Sequence, residues 1–269
     1  MHRLENKNAS EYTLISNQMD RAAYLSRIGI EDRDPSTDTS TLRTLQKQHL
    51  LSVPFENLDI HWNRPIVLDL ERFFEKIVVE KRGGFCYELN GLFNELLRRL
   101  GFKTRLVSAR VFNGTIHGPE FDHAAIIVTL PEGEYLADVG YGAFTAEPLR
   151  FVLDEEQVDR GEKFVIRKFD DEYLEVAKFV KGNWRSEYLF KDIERELSEF
   201  SAMCDFQQYS PDSHFRTGKL WSIMTTDGRK TLTDNKFIVT SKGAVNELEI
   251  APEVFYRLLR EEFAIERTT

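Results

Sequence analysis

Several marks of familiar protein classes are missing from this chain of 269 residues. It has only two cysteines, Cys86 and Cys204, too far apart for a disulfide framework or a metal-ligand cluster. It has no apolar run near the roughly 20 residues that a membrane-crossing helix needs. Its opening residues, Met1 to Asn8, are polar and lack the apolar core of a signal peptide. Positive charge is not in excess: 36 Lys and Arg against 45 Asp and Glu give a net charge of −9, which argues against broad nucleic-acid binding. An anionic ligand is still allowed, because a few local N–H groups or lysines can hold phosphates. No internal repeat or low-complexity tract occurs. These absences predict a cytoplasmic protein without a metal, a membrane or a nucleic-acid partner.

What is present is material for aromatic-rich cores: 41% hydrophobic residues, with 20 Phe and 9 Tyr. The first hundred residues read as helical, with helices at 19–28, 41–52 and 70–80, the second closed by Pro54. A fourth begins at Cys86, where Leu89, Leu92, Phe93, Leu96, Leu97 and Leu100 recur at helical spacing before Gly101 stops it. From Lys103 the pattern changes to short β-type runs at 105–112, 123–130, 135–139, 163–169, 173–179 and 184–189, which suggests a barrel or sandwich. A short helix is expected at 192–200. Strands at 219–225 and 236–240 follow, separated by the turn Thr226-Asp227-Gly228-Arg229, and a helix at 252–263 closes the chain. The expected class is α+β, in three parts: 1–100 helical, 101–200 β, and 201–269 a small α/β unit.

The segment Arg82-Gly83-Gly84-Phe85-Cys86 puts a thiol where a loop becomes a helix. Unpaired N–H groups and the helix dipole favour an anion there, and a thiolate is the nucleophilic form. The paired glycines would clear a substrate's approach. A small buried hydrophobe is the competing reading of the same cysteine.

A cysteine nucleophile needs a base, and the base needs an orienting group. Of six histidines, His2 is terminal, His49 and His61 lie in the helical region, His117 in a loop and His214 in a polar segment. His123 opens the most apolar strand, Ala124 to Val128, so its imidazole would be rigidly held. Asp138 sits in an apolar strand, where a carboxylate is costly without a partner. With a tight turn at 131–134, Asp138 and His123 share a face, but Asp138 falls opposite Ile127, about 13 Å along the strand from His123. A bulge, strong twist or different pairing is then needed. Cys, then His, then Asp is the order of papain-like and transglutaminase-like sites. That order alone leaves open a thiol-dependent acyltransferase, a cysteine amide hydrolase, or a catalytically silent binding protein.

Six motifs in order then resemble the arylamine N-acetyltransferase family: Tyr24-Leu25-Ser26-Arg27-Ile28, Val53-Pro54-Phe55-Glu56-Asn57, Arg82-Gly83-Gly84-Phe85-Cys86-Tyr87-Glu88-Leu89-Asn90, His123 with Asp138-Val139-Gly140-Tyr141-Gly142, Ser210-Pro211-Asp212-Ser213-His214-Phe215, and Thr226-Asp227-Gly228-Arg229. About 18 residues precede the family's usual start, and mammalian-type insertions have no counterpart, so the resemblance is to bacterial members. It implies a helical bundle, a β-barrel and an α/β lid around a papain-like core. It also implies a xenobiotic-metabolising enzyme that moves an acetyl group from acetyl-CoA to an aromatic amine, hydrazine or hydroxylamine through Cys86, with His123 as base and Asp138 as its orienter. By the same resemblance Phe55 and Tyr141 line the acceptor pocket, and Gly140, Gly142, Phe206 and Ser213 contact CoA. Glu56 and Arg82 are expected to form a structural ion pair, and Cys204 to be a buried spectator.

Overall fold

Apolar residues at helical spacing and turn residues between them set up the helical half. The structure, a computed structural model, describes residues 19–142, 144–263 and 265. His2 and the polar opening lie outside these residues. Helices α1 (Arg21–Arg27) and α2 (Thr39–Ser52) are capped by Asp20 and Asp38, whose carboxylates accept from backbone N–H groups of the first turn. After α2 the chain forms the two-residue strand β1 (Phe55–Glu56) and the short helix α3 (Leu58–His61). Helix α4 (Leu70–Phe74) widens into a π-helical turn, Glu75–Val79, instead of continuing as a single α-helix to residue 80. The wider turn carries Lys76 inward with Ile77 and Val78. Helix α5 (Cys86–Arg99) buries Leu89, Leu92, Phe93, Leu96 and Leu97 completely, each worth about 2 kcal/mol of burial.

The middle of the chain forms an eight-stranded antiparallel sheet in the order β5-β4-β3-β2-β9-β8-β7-β6. These strands are β2 (Lys103–Val111), β3 (His123–Leu130), β4 (Gly133–Ala137), β5 (Leu149–Arg150), β6 (Gln157–Asp159), β7 (Glu162–Lys168), β8 (Leu174–Val180) and β9 (Asn183–Phe190). The sheet nearly closes into a barrel, because Gln157 at one edge exchanges hydrogen bonds with the Arg150 backbone at the other. Strand β3 is buried on both faces, which explains its unbroken apolar run. Ile126 and Val128 pack toward the helices, whereas Ala125 and Ile127 fill the barrel with Phe164, Tyr188 and Phe190.

The helix expected at 192–200 forms later, as a 3₁₀ turn at Leu197–Phe200 running into α6 (Ser201–Tyr209). The last part holds four strands where the sequence suggested two: β10 (Leu220–Thr225), β11 (Gly228–Thr233), β12 (Lys236–Ser241) and β13 (Ala244–Glu249). With β1 at one edge they make a five-stranded sheet, β1-β10-β11-β12-β13. One face of this sheet, with Trp221 and Leu232, packs on α7 (Pro252–Phe263) through Phe255 and Leu259. Among the described residues no helix is long and apolar enough to cross a membrane.

Candidate active site

Cys86 is the first residue of α5, and the turn that carries it is fixed from three sides. Glu88 Oε2 accepts the Phe85 N–H at 2.7 Å, which closes the helix start. Gly84 sits beside β1: Glu56 N–H donates to Gly84 O at 2.9 Å, and Gly84 N–H donates to Pro54 O at 3.2 Å. A Cβ at Gly83 would strike the Pro54 carbonyl. The paired glycines therefore make room for the chain itself, not for a substrate. On the third side Gly140 presses on the nucleophile: a Cβ there would lie 2.9 Å from Cys86 Cα and 2.6 Å from Asn90 Nδ2.

His123 Nε2 donates to Asp138 Oδ2 at 2.7 Å, in a setting that is 0% exposed at Asp138 and 2% at His123. The gap foreseen from the sequence closes through the register. The turn between β3 and β4 has two residues, Pro131 and Glu132, with Leu130 opposite Gly133 and Ile126 opposite Ala137. One step beyond, Asp138 lies across from Ala125, two residues from His123 instead of four, or about 7 Å along the strand. An imidazole side chain spans what is left, so no bulge is required. Strand β4 ends at Ala137, which frees Asp138 to turn into the site.

Asp138 is heavily hydrogen-bonded, which makes a buried carboxylate tolerable. Its Oδ1 accepts from Asn90 Nδ2 at 2.9 Å, Gly140 N–H at 2.9 Å and Tyr141 N–H at 3.1 Å. Asn90 also donates to Ala124 O at 2.6 Å and accepts the Val139 N–H at 2.9 Å. It thereby ties α5, β3 and the Asp138 loop together. The signal for it in the sequence is a polar residue one helical turn after Cys86. Gln46, from α2, accepts the Asp138 N–H at 3.2 Å; nothing in the sequence pointed to it.

Cys86, His123, Gly140, Tyr141, Gly142 and Phe55 line one cavity of about 330 Å³. Asp138 stands behind His123, outside that lining. Phe206 and Ser213 do not line it either: Phe206 is exposed on α6, and Ser213 is buried with its hydroxyl donating to Gln207. The cavity also takes in Asp122, His214, Phe215 and Arg229, which the sequence did not mark as site residues. Asp122 Oδ1 accepts from Gln207 Nε2 at 2.7 Å, and burial holds its pKa above the usual carboxylate range. Phe215 packs edge-on against Phe85, ring centres 4.6 Å apart. A larger, more open cleft of about 670 Å³ runs between α2, β10 and α7 and touches neither Cys86 nor His123.

The sequence predicts an easily ionised Cys86, and the site reverses that. Burial pushes the thiol well above its ordinary range, and the Asp122 and Asp138 carboxylates with Cys204 add to the effect; only a Tyr87 N–H hydrogen bond opposes it. Desolvation can shift a buried group by several pKa units, more than the last turn of a helix dipole returns. The thiolate thus needs a nearby proton acceptor. With Nε2–H held by Asp138, His123 has Nδ1 free for that purpose. The five ionisable groups Glu56, Asp59, Lys76, Arg82 and Glu88 lie on the other side of the same turn. Arg82 bonds Glu56 at 2.6 Å and Asp59 at 2.7 Å, and Lys76 bonds Asp59 at 2.8 Å and Glu88 at 2.7 Å. Burial opposes the charge on Lys76, but the Glu88, Glu56 and Asp59 carboxylates outweigh it and raise its pKa. The expected Glu56–Arg82 pair is therefore one edge of a larger network. Cys204 is 1% exposed, and burial pushes its thiol up to about 12.

Comparison with known proteins agrees with this geometry. A family model described as N-acetyltransferase matches residues 38–268. The arylamine N-acetyltransferase of Mycolicibacterium smegmatis is 34% identical over 237 residues, 86% of each chain. The solved arylamine N-acetyltransferase from Salmonella typhimurium superposes with a TM-score of 0.86 at 28% identity, covering 92% of each chain. A Mycobacterium marinum arylamine N-acetyltransferase solved in complex with CoA gives a TM-score of 0.83 at 29% identity, covering 91% of this chain and 93% of that one. By the extent of these matches, the chain belongs to the arylamine N-acetyltransferase family.

Proposed function

We propose that this enzyme moves an acetyl group from acetyl-CoA to arylamines, arylhydrazines and arylhydroxylamines by a ping-pong route through acetyl-Cys86. The observation that carries this reading is the relay from cavity to core: a thiol and an imidazole open to one cavity, with the imidazole's rear nitrogen bonded to the buried Asp138. Cys86 Sγ passes its proton to His123 Nδ1 and attacks the acetyl carbonyl carbon. Backbone N–H groups at the start of α5 would receive the negative charge that builds on the carbonyl oxygen. The bond from that carbon to the CoA sulfur breaks, and His123 returns the proton to the leaving sulfur. In the second half-reaction the acceptor nitrogen attacks the thioester carbon, and His123 Nδ1 takes the nitrogen's proton. The carbon–Sγ bond breaks, and the proton returns to Cys86. Asp138 orients the ring throughout and offsets the positive charge that it carries in each half-reaction.

The acceptor ring would stack on Phe55 and Tyr141. Gly142, where an added methyl group would meet nothing within 4 Å, leaves the backbone open to the pantetheine arm of CoA. Gly140 serves CoA less directly, by letting its loop close on Cys86. Phe206 offers an exposed ring to the nucleotide end, and Ser213 acts through the turn that it caps. In this reading residues 1–100 are the bundle bearing the nucleophile, 101–200 the barrel bearing base and acid, and 201–269 the lid, around a papain-like core. A cytoplasmic site and a part in xenobiotic metabolism belong to the same proposal. The test is to add acetyl-CoA to the pure protein. One acetyl group should appear on Cys86 by mass spectrometry and disappear when an arylamine is added; no label on Cys86 would overturn the proposal.

A further inference from the structure

The catalytic cavity is lined by two groups of polar side chains that differ in charge. Cys86, His123 and Asp122 form one group. The other is made by the five-stranded sheet, whose pairings Ser222↔Thr231 and Met224↔Arg229 bring Ser222, Thr231 and Arg229 to the same side. All three line the cavity. Arg229 Nη1 donates to Ser222 Oγ at 2.9 Å, and Ser222 Oγ shares a hydrogen bond with Thr231 Oγ1 at 2.8 Å. Among the described residues no carboxylate pairs with this guanidinium, whereas Arg82 has two. Its charged neighbour is a second cation, Arg160, which is tied to the carbonyls of Thr225 and Thr226. Burial, with Arg160 adding to it, lowers the Arg229 pKa to about 10, so at neutral pH it remains a cation short of counter-charge. A guanidinium has five N–H donors in a planar fork that suits a carboxylate. The same cavity is lined by the aromatic side chains of Phe55, Tyr141 and Phe215, and Phe55 is paired with Ser222 across β1 and β10.

We propose that Arg229 is the anion-recognising residue of the acceptor site, and that the favoured acceptors are aromatic amines or hydrazines bearing a ring carboxylate. The inference rests on the acetyl-transfer reading for its reaction, though not for its binding. The ring packs on these aromatic side chains, the nucleophilic nitrogen faces Cys86, and the carboxylate meets Arg229 with the Ser222 and Thr231 hydroxyls beside it. An acceptor without the carboxylate leaves a desolvated guanidinium unanswered, which is how a polar site rejects an analogue. A CoA phosphate offers the same anionic chemistry, so the experiment separates the two sources.

The measurement is kcat/KM for 4-aminobenzoate and 3-aminobenzoate against their methyl esters at saturating acetyl-CoA. Wild type should prefer an acid over its ester by about ten- to a hundredfold. Arg229→Met should bring that ratio near one, and Arg229→Lys should restore part of it. A wild-type ratio near one, or a preference that survives Arg229→Met, overturns the proposal. So does a raised KM for acetyl-CoA with the ratio unmoved, which would give the guanidinium to a CoA phosphate. Wild type alone provides a second reading: benzoate should shield Cys86 from iodoacetamide at lower concentration than benzamide, and equal shielding overturns the anion site. If Cys86 never acquires acetyl, the reaction fails, while the shielding experiment still decides what Arg229 binds.

Discussion

Two buried polar clusters share the first turn of α5, and they are finished differently. On one side Glu56, Asp59, Lys76, Arg82 and Glu88 answer one another, so that every charge meets an opposite one. On the other side Asp138 is satisfied by Asn90, Gly140, Tyr141 and His123, but the polar chain ends at the imidazole, and the thiol beyond opens on a cavity. Burial is equal in the two; closure is not. A closed network holds shape, and an open one has an unspent valence for chemistry. The turn needs both, because Glu88 fixes the backbone of the helix start from which Cys86 projects.

The comparison can be broken from each side. Cys86→Ser should lower transfer by at least about 10⁴-fold while leaving the thermal unfolding midpoint near that of wild type. Persistent acetyl transfer in this variant would remove the mechanism. Lys76→Met should do the opposite: it strands the Glu88 carboxylate, leaves Asp59 with Arg82 alone, and costs about 3–5 kcal/mol in urea unfolding, while the protein that remains folded keeps its turnover. Loss of turnover without loss of stability would mean that the closed cluster takes part in catalysis. Asp138→Ala should lower kcat/KM about a hundredfold and slow alkylation of Cys86 at neutral pH, because losing the partner that orients His123 and favours its charged form outweighs relief of the carboxylate's own repulsion of the thiolate; unchanged alkylation across pH would show that Asp138 does not orient the base. The smallest effect concerns Asp122. Its carboxylate opposes the thiolate, so Asp122→Asn should move the pH profile of Cys86 alkylation downward, and a profile that stays put or rises would contradict this.

What could be read from the residues followed how strongly each element is buried. Helix α5 and strand β3 announce themselves because their apolar residues are many and regularly spaced. Strands β11 and β13 do not: β11 buries Leu232 alone, and every residue of β13 is exposed. Their pairing comes from the neighbouring strands, not from a pattern of their own. Cys86, His123 and Asp138 stood out as reactive types in apolar surroundings, and Phe55, Tyr141, Gly140 and Gly142 through their motifs. Asn90, Asp122 and Arg229 were hidden, since a polar residue within a helix, beside a histidine or after a turn is ordinary until tertiary pairing shows what it faces. The Asp138 register was misjudged because the turn was given four residues instead of two, and strand β4 begins at Gly133.

That short turn has a consequence out of proportion to its place on the surface. Connections between strands usually accept extra residues freely. At Pro131-Glu132 the length sets how far Asp138 travels before it leaves the sheet, and so whether His123 has a partner. With the turn held at two residues, removing two residues from β4 would move the carboxylate back across from Ile127 and adding two would carry it on to face His123; a change of one would turn it to the other face. The β3–β4 hairpin is therefore a ruler for the catalytic relay, graduated in whole residues, and its length is under the same constraint as the side chains that it aligns.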